Sequence, residues 1–580
     1  MVGKVLASCG VFGLIVLVAG CGSQVSLPAT LAVSPQATAI TAGQTVQFSA
    51  GADDRSVTWS ATQGTIDAAG NYTAPPGVSA TVTVTATSRS DPTLSASATV
   101  NVVAPGEVSA TANPQVASYA IAPPAAGRVS VQFGSSTGSG LTTWAQPVPP
   151  GGGTVTLLVA GMRADSLYHM RAVVRFDDGT QFIDADHPFT TGSLPPGQAP
   201  VLTATTTAGL TPQSGVELLD MVNITSPANE VVVSDLGGNV LWSYNQRNAG
   251  VVPNPVKLLP NGNFLINFSG TTTDGMDSVL QEVDLTGAVL WQMTAADLNA
   301  ALAAATCTGC NITVVGTHHD FAVLPNGHLI VIAAVEKDIS GVTVTGDVLI
   351  DLDQDRKPVW LWNEFDHLDV NRHPLFFPDW THTNAVLYSA DDGNLIISIR
   401  HQNWLVKVDY ENGAGTGDIL WKLGYQGDFA LVGGTDPTDW FYAQHGPSFT
   451  STNTTGNFSL ALFDNGDDRV FPAGVTCGAP GAPPCLYSTV PILQIDETAM
   501  TATLTFHPMA PSYSNFGGNA ALLKNGNVEY CESAGGPGFA GDIYEVTPDD
   551  GAQTVWKMQS TGQFVYRGQR IPSLYPGVQW

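Results

Sequence analysis

The sequence predicts an all-β chain, with two small β-sandwiches followed by a six-bladed β-propeller. Three observations carry this. Gly and Pro number 61 and 38 among 580 residues, while charged residues make up only 12%, a composition of short strands and tight turns. The N-terminal part alternates apolar and polar residues in short runs. Beyond residue 200 an Asn-Gly or Asp-Gly turn recurs between apolar runs. The length exceeds one ordinary core, so several domains are expected. A TIM barrel or helical solenoid would need helical periodicity between the strands, and none is seen.

The chain opens with Lys4 and an apolar run from Val11 to Val18, too short for a stable membrane span and typical of a secretory leader. The run ends in Leu17-Val18-Ala19-Gly20-Cys21. Small residues before a cysteine resemble a bacterial lipoprotein signal, with residues 1–20 removed and Cys21 lipidated. The expected location is therefore periplasmic or on the outer membrane, reached through the lipid anchor alone. In an oxidising compartment Cys477 and Cys485, flanking a Gly/Pro-rich stretch, read as a loop-closing disulfide. Cys307 and Cys310 read as a local disulfide, with zinc alongside His318 and His319 as the weaker alternative. Cys531 is left over as a buried thiol.

Residues 21–30 form a tether. Residues 31–104 alternate through Thr45-Val46-Gln47-Phe48 and Thr81-Val82-Thr83-Val84-Thr85, as a sandwich requires. Val57-Thr58-Trp59 and Gly70-Asn71-Tyr72 resemble bacterial immunoglobulin-like domains. Residues 105–196 resemble a fibronectin III-like module, whose Tyr168 would pin a corner. The Pro-rich segment from Leu194 to Pro200 ends it. Residues 200–580 hold the repeat. Gly262, Gly327, Gly393, Gly456 and Gly526 lie 65, 66, 63 and 70 residues apart. Asn-Gly between apolar runs is a strong hairpin signal, expected as a turn with φ > 0 at both central positions. A second hairpin follows in each unit, often ending in Trp, as at Trp242, Trp291, Trp362, Trp421 and Trp556. Two hairpins make a four-stranded blade, and the count reaches six.

Only 11 histidines occur, and several fall at one point of the repeat. His318-His319-Asp320, His382-Thr383-Asn384 and His445-Gly446-Pro447 each precede a first strand. First strands line a propeller's channel, so these residues converge at one mouth of the axis. Arg400 ends the strand Leu395 to Ile399. Imidazoles with a guanidinium suit an anionic tetrahedral group. Trp380, Phe376, Phe377, Trp440, Phe441 and Tyr442 lie near these motifs and are candidates to stack an aryl ring.

Thr317-His318-His319-Asp320-Phe321, Asp379-Trp380-Thr381-His382-Thr383-Asn384, Ser398-Ile399-Arg400-His401-Gln402, Gln444-His445 and Tyr566-Arg567-Gly568-Gln569-Arg570-Ile571 resemble motifs of the bacterial aryl sulfotransferases. The resemblance spans most of residues 215 to 580. It implies a six-bladed propeller of the exported compartment, with no nucleotide sulfate donor and a ping-pong mechanism. It implies that His445 is the nucleophile and forms a sulfohistidine. Arg400 and His382 would hold the sulfuryl oxygens, with Asn384, Asp320 and Trp380 lining the substrate. His318 or His319 would be the acid and base, and repeat alignment favours His318. The sandwiches and the lipid anchor depart from the simplest members.

The implied partners are a small aryl sulfate and a phenol. No cofactor and no metal are expected, and a homodimer is left open. The net charge of −28 and the lack of basic runs argue against nucleic acid. A non-catalytic cell-surface propeller is the alternative. A quinone-dependent dehydrogenase is disfavoured, for want of calcium-site carboxylates.

Overall fold

The computed structural model describes residues 30–51, 56–138, 140–195, 200–222, 230–245, 251–270, 278–536, 540–549 and 551–580. The leader and Cys21 lie outside them. Half of the described residues are strand and 4% helix. Among the described residues no helix is long and apolar enough to cross a membrane. The chain divides into two compact units. One comprises residues to 104 with 123–125 and 176–182, and the other comprises 105–122, 126–175 and 183–580.

In the first unit, Val57–Ala61, Ala80–Ser88 and Ser95–Val103 pair antiparallel, and Ala37–Thr41 adds parallel to Ser95–Val103. Short strands Thr45–Gln47, Asn71–Thr73 and Thr65–Ile66 form a second sheet. The two-residue period of Ala80–Ser88 puts Val82, Val84 and Ala86 inward, where they pack on Phe48 and Tyr72. The second unit opens with two sheets, one centred on Ala117–Ile121 and one on Gly127–Gly134 and Leu167–Phe176. The Tyr168 hydroxyl accepts the Arg163 backbone N–H at 2.9 Å, which is the expected corner.

Six antiparallel sheets of four strands follow, the fifth of them extended by Ala430–Val432, which pairs parallel to Thr501–Phe506. They begin with the strands Val216–Val222, Val251–Leu258, Gly316–Val323, Thr383–Ser389, His445–Phe449 and Asn519–Leu522. The first sheet takes its fourth, inner strand from Phe564–Ile571, paired to Val216–Val222. Successive inner strands pack on one another, and Phe564–Ile571 packs on both Val251–Leu258 and Val528–Gly536. This is the strand order of a six-bladed propeller closed by its last strand. Leu202–Thr206 adds a fifth strand outside the sixth blade.

The turn expectation needs correcting. Gly262, Gly327 and Gly526 have positive φ, but Asn261, Asn326 and Asn525 do not. Each glycine N–H instead bonds three residues back, to Leu259, Leu324 and Leu523. These are type I turns closed by a left-handed glycine, a geometry that also suits strand twist. The asparagine contributes its side chain: Asn261 Oδ1 accepts from Asn263 N at 3.1 Å.

Cys307 bonds to Cys310 and Cys477 to Cys485. The zinc alternative therefore loses its thiolates. Cys531 is buried and unbonded to another cysteine. At the C-terminus the Tyr575 hydroxyl accepts Ala160 N at 2.7 Å and donates to Leu158 O at 2.8 Å. The Trp580 indole donates to Thr142 O at 3.0 Å. These bonds tie the 105–194 module to the blades.

Candidate active site

The three blades that carry the histidines each break their inner pairing. Register shifts fall between Thr317 and Phe321, between Thr383 and Ala385, and between His445 and Ser448. Such bulges re-aim side chains. His319 and His382 sit at φ 58° and 52°, the left-handed region that a β-carbon disfavours. Gly446 has φ 49°, and a Cβ there would lie 2.4 Å from that of Asn519. The result is a cluster. Ring centroids are 4.6 Å apart for His319–His382 and for His382–His401, 4.8 Å for His318–His319, and 5.9 and 6.3 Å from Tyr566 to His319 and His445.

Hydrogen bonds fix the proton positions. His445 Nδ1 faces Asn465 Oδ1 at 2.7 Å and Ala443 O at 3.1 Å. The Asn465 amide cannot be reversed, because its Nδ2 donates to Ser514 O and Gly517 O. Both Nδ1 neighbours are therefore acceptors. Nδ1 carries the proton and Nε2 carries a lone pair. Burial, then Arg400, hold the His445 pKa well below the ordinary value, so this ring is neutral. His401 is also neutral. Its Nδ1 donates to Asp379 O at 2.7 Å and its Nε2 accepts from Arg400. Burial, with His382 and Arg400, lowers its pKa to about 4. His382 Nδ1 bonds Asp379 Oδ2 at 2.6 Å. Burial raises the Asp379 pKa, but the His382 bond and neighbouring imidazoles outweigh it and bring it to about 2.

Two guanidiniums enter the cluster. Arg400 Nη2 donates to Asp467 at 2.9 Å and Asn515 O at 3.0 Å. Arg567, on the closing strand, reaches Asn384 O at 2.8 Å and Asp320 Oδ2 at 3.3 Å. Burial opposes its charge, but Asp320 more than restores it. Arg400 Nε and Arg567 Nε are buried donors that make no hydrogen bond within the protein. Unsatisfied donors of this strength suit an anion.

The sequence profile described as Arylsulfotransferase (ASST) matches residues 205–567. The chain belongs to the arylsulfotransferase family. Among curated proteins none matches it. Solved structures show faint likeness. A structural-genomics protein from Lactobacillus plantarum is 10% identical with TM-score 0.30, covering 77% of this chain and 99% of its own. A chimera of ACO and RPE65 is 11% identical with TM-score 0.29, covering 76% and 91%. An ICAM-5 D1–D4 ectodomain fragment is 13% identical with TM-score 0.17, covering 56% and 100%. At these TM-scores they carry no argument.

In this arylsulfotransferase-family chain, His318, His319, His382, Arg400 and His445 do come together, and Asn384 lies beside them through Gln444 O at 2.7 Å. The repeat alignment that favoured His318 is one residue out. The bulge places His319 against His382 and Tyr566, while His318 turns to Asp347 at 2.9 Å. Asp320 bonds Lys257 at 2.7 Å and Arg567, so it sets charges and lines no anion site. Trp380 is wholly buried on Phe365, its N–H donated to Arg372 O, so it packs the loop and offers no open face. Trp440, Phe441 and Tyr442 are likewise core. Phe376 is exposed and stands 5.2 Å from His401 and 6.0 Å from Arg400. Asn465, Asp467, His401, Asp379, Tyr566 and Arg567 carried no assigned role in the sequence. Asp379, His401 and the Tyr566-Arg567 ending had a signal, as parts of family-like motifs; Asn465 and Asp467 had none.

Asp379, His382 and His401 lie close enough to invite a metal reading. Their chemistry opposes it. A neutral His401 that accepts from Arg400 at Nε2 must keep its Nδ1 proton, so the trio lacks one of three lone pairs a cation needs.

Proposed function

We propose that this arylsulfotransferase-family chain moves a sulfuryl group from an aryl sulfate to a phenol through a sulfohistidine at His445. The observation that supports this most is the neutral His445, with Nδ1–H held by Asn465 and an Nε2 lone pair beside two guanidiniums. In the first half-reaction Nε2 attacks sulfur, the N–S bond forms and the S–O(aryl) bond breaks. The departing phenolate takes a proton from His319. In the second, the acceptor phenol returns a proton to His319 while its oxygen attacks sulfur and the N–S bond breaks. Charge develops on the equatorial oxygens, as in phosphoryl transfer. Arg400, His382 and Arg567 face that charge, with Asn384 in support. Phe376 stacks the aryl ring. Asn465 is a neutral acceptor, so the sulfohistidine keeps its Nδ1 proton and stays a good leaving group.

The leader and the two cysteine pairs support export, with lipid at Cys21 as the anchor. The test of the reaction is rapid mixing with 4-nitrophenyl sulfate. The expected result is a burst of one phenol per chain, a mass gain of one SO₃ on His445, and faster turnover with added phenol. The His445→Ala variant abolishes all three. Phenol release without a labelled histidine would overturn the reading.

A further inference from the structure

His318 and His319 face each other Nδ1 to Nδ1 at 2.7 Å, so one proton lies between them. His319 is enclosed. Burial, then the charges of His382, His318, His445 and Arg567, push its pKa well down. An acid that must alternate between protonated and bare cannot easily hold a charge there. His318 differs. Its Nε2 meets Asp347 Oδ1 at 2.9 Å. Asp347 Oδ2 accepts from Thr381 Oγ1 at 2.8 Å and Thr383 N at 2.7 Å. Glu364 lies behind, bonded by the Asp347 N–H at 3.2 Å, and burial next to Asp347 raises its pKa well above the carboxylate range. The other groups facing the pair are Asp379, His382, Tyr566 and Arg567.

We propose that Asp347 and His318 form a proton store behind His319, so that His319 exchanges the proton with the phenolic oxygen while the positive charge resides on His318. Asp347 is thus a positioning residue, and the idea rests on the functional reading above. The steps balance. In the loaded form His318 has hydrogens on both nitrogens, and His319 is neutral with its hydrogen on Nε2. As the S–O(aryl) bond breaks, the Nε2 proton passes to the phenolate oxygen and the His318 Nδ1 proton passes to His319 Nδ1. His318 ends neutral, its Nε2–H on Asp347. The acceptor phenol reverses every transfer. No proton is exchanged with solvent over the full cycle.

The test compares donors whose leaving phenols need the acid little or much, 4-nitrophenyl sulfate and 4-methylphenyl sulfate, in the full chain. The variants are Asp347→Asn and His318→Gln. The latter leaves the Asp347 bonds to Thr381 and Thr383 intact, should the former fold poorly. The expected loss of the burst rate is at least about tenfold greater for 4-methylphenyl sulfate, within the usual worth of a general acid. In Asp347→Asn the pH profile of the burst also moves to lower pH, because a charge on the His318 side loses its counter-charge. Asp347→Glu restores part of both. Equal losses for the two donors with an unmoved pH profile would overturn the relay. A wild-type chain without a sulfohistidine would overturn the functional reading and the relay with it, a distinct result.

Discussion

At the residue scale the decisive feature is which nitrogen bears the proton. Asn465 keeps it on His445 Nδ1 by accepting, and its own amide is locked by Ser514 O and Gly517 O. In Asn465→Asp a carboxylate would favour the imidazolium. The donor step is then expected to fail at low pH, with the loss setting in at a higher pH than in wild type. It should recover at higher pH, and burst kinetics across pH measure this. His401 makes a stability prediction. Its folded pKa, about 4, lies below the unfolded value, about 6.5. Between those pH values the unfolded chain binds more protons, so stability falls as pH drops from about 6.5 to about 4 and levels off below, by about 3 kcal/mol. Thermal melts of His401→Gln should lose that part of the acid dependence. A His401→Gln curve parallel to wild type would refute the assignment. None of this was legible in sequence. A histidine's tautomer depends on partners distant along the chain, 20 residues for His445–Asn465 and 22 for His401–Asp379.

At the element scale the legible part is the hairpin. Asn-Gly turns, alternating runs and Trp-terminated outer hairpins give blade count and order, because each is a short-range property. The inward residue was not legible. A one-residue slip changes the face a strand presents, and the bulge between Thr317 and Phe321 sets His319, not His318, against His382 and Tyr566. Neither was the supporting insertion, residues 464–491, which brings Asn465 to His445 and Asp467 to Arg400. Its root is Arg469, fully buried, ion-paired to Asp464 and bonded to Thr438 O, Trp440 O and Tyr487 O. Arg469→Ala would strand the Asp464 charge, at a cost of about 3–5 kcal/mol. The expected outcome is a lower denaturation midpoint and a fall in kcat at temperatures where the variant remains folded. Unchanged kcat in folded protein would show that the insertion holds its shape without this pair.

At the scale of the whole molecule, one C-terminal segment does two jobs. Phe564–Ile571 closes the ring of blades and delivers Arg567 to the cluster, so a complete site requires a closed ring. Residues 572–580 then run on to the 105–194 module. Tyr575 is the firmest tie there: its hydroxyl is the partner of both Ala160 N and Leu158 O, and the residue is only 2% exposed. Tyr575→Phe keeps the ring and its packing but leaves a buried N–H unsatisfied, a loss of about 1–3 kcal/mol. That loss falls on the junction and not on the blades. Calorimetry should therefore show the module and propeller melting as one transition in wild type. In Tyr575→Phe a lower-temperature shoulder should appear, with little change in the burst of phenol release. If the whole transition shifted down together without a shoulder, the junction would be part of one cooperative core. If nothing shifted, Trp580 and Gln115, which donates to Val240 O at 2.8 Å, would suffice to hold the module on the blades.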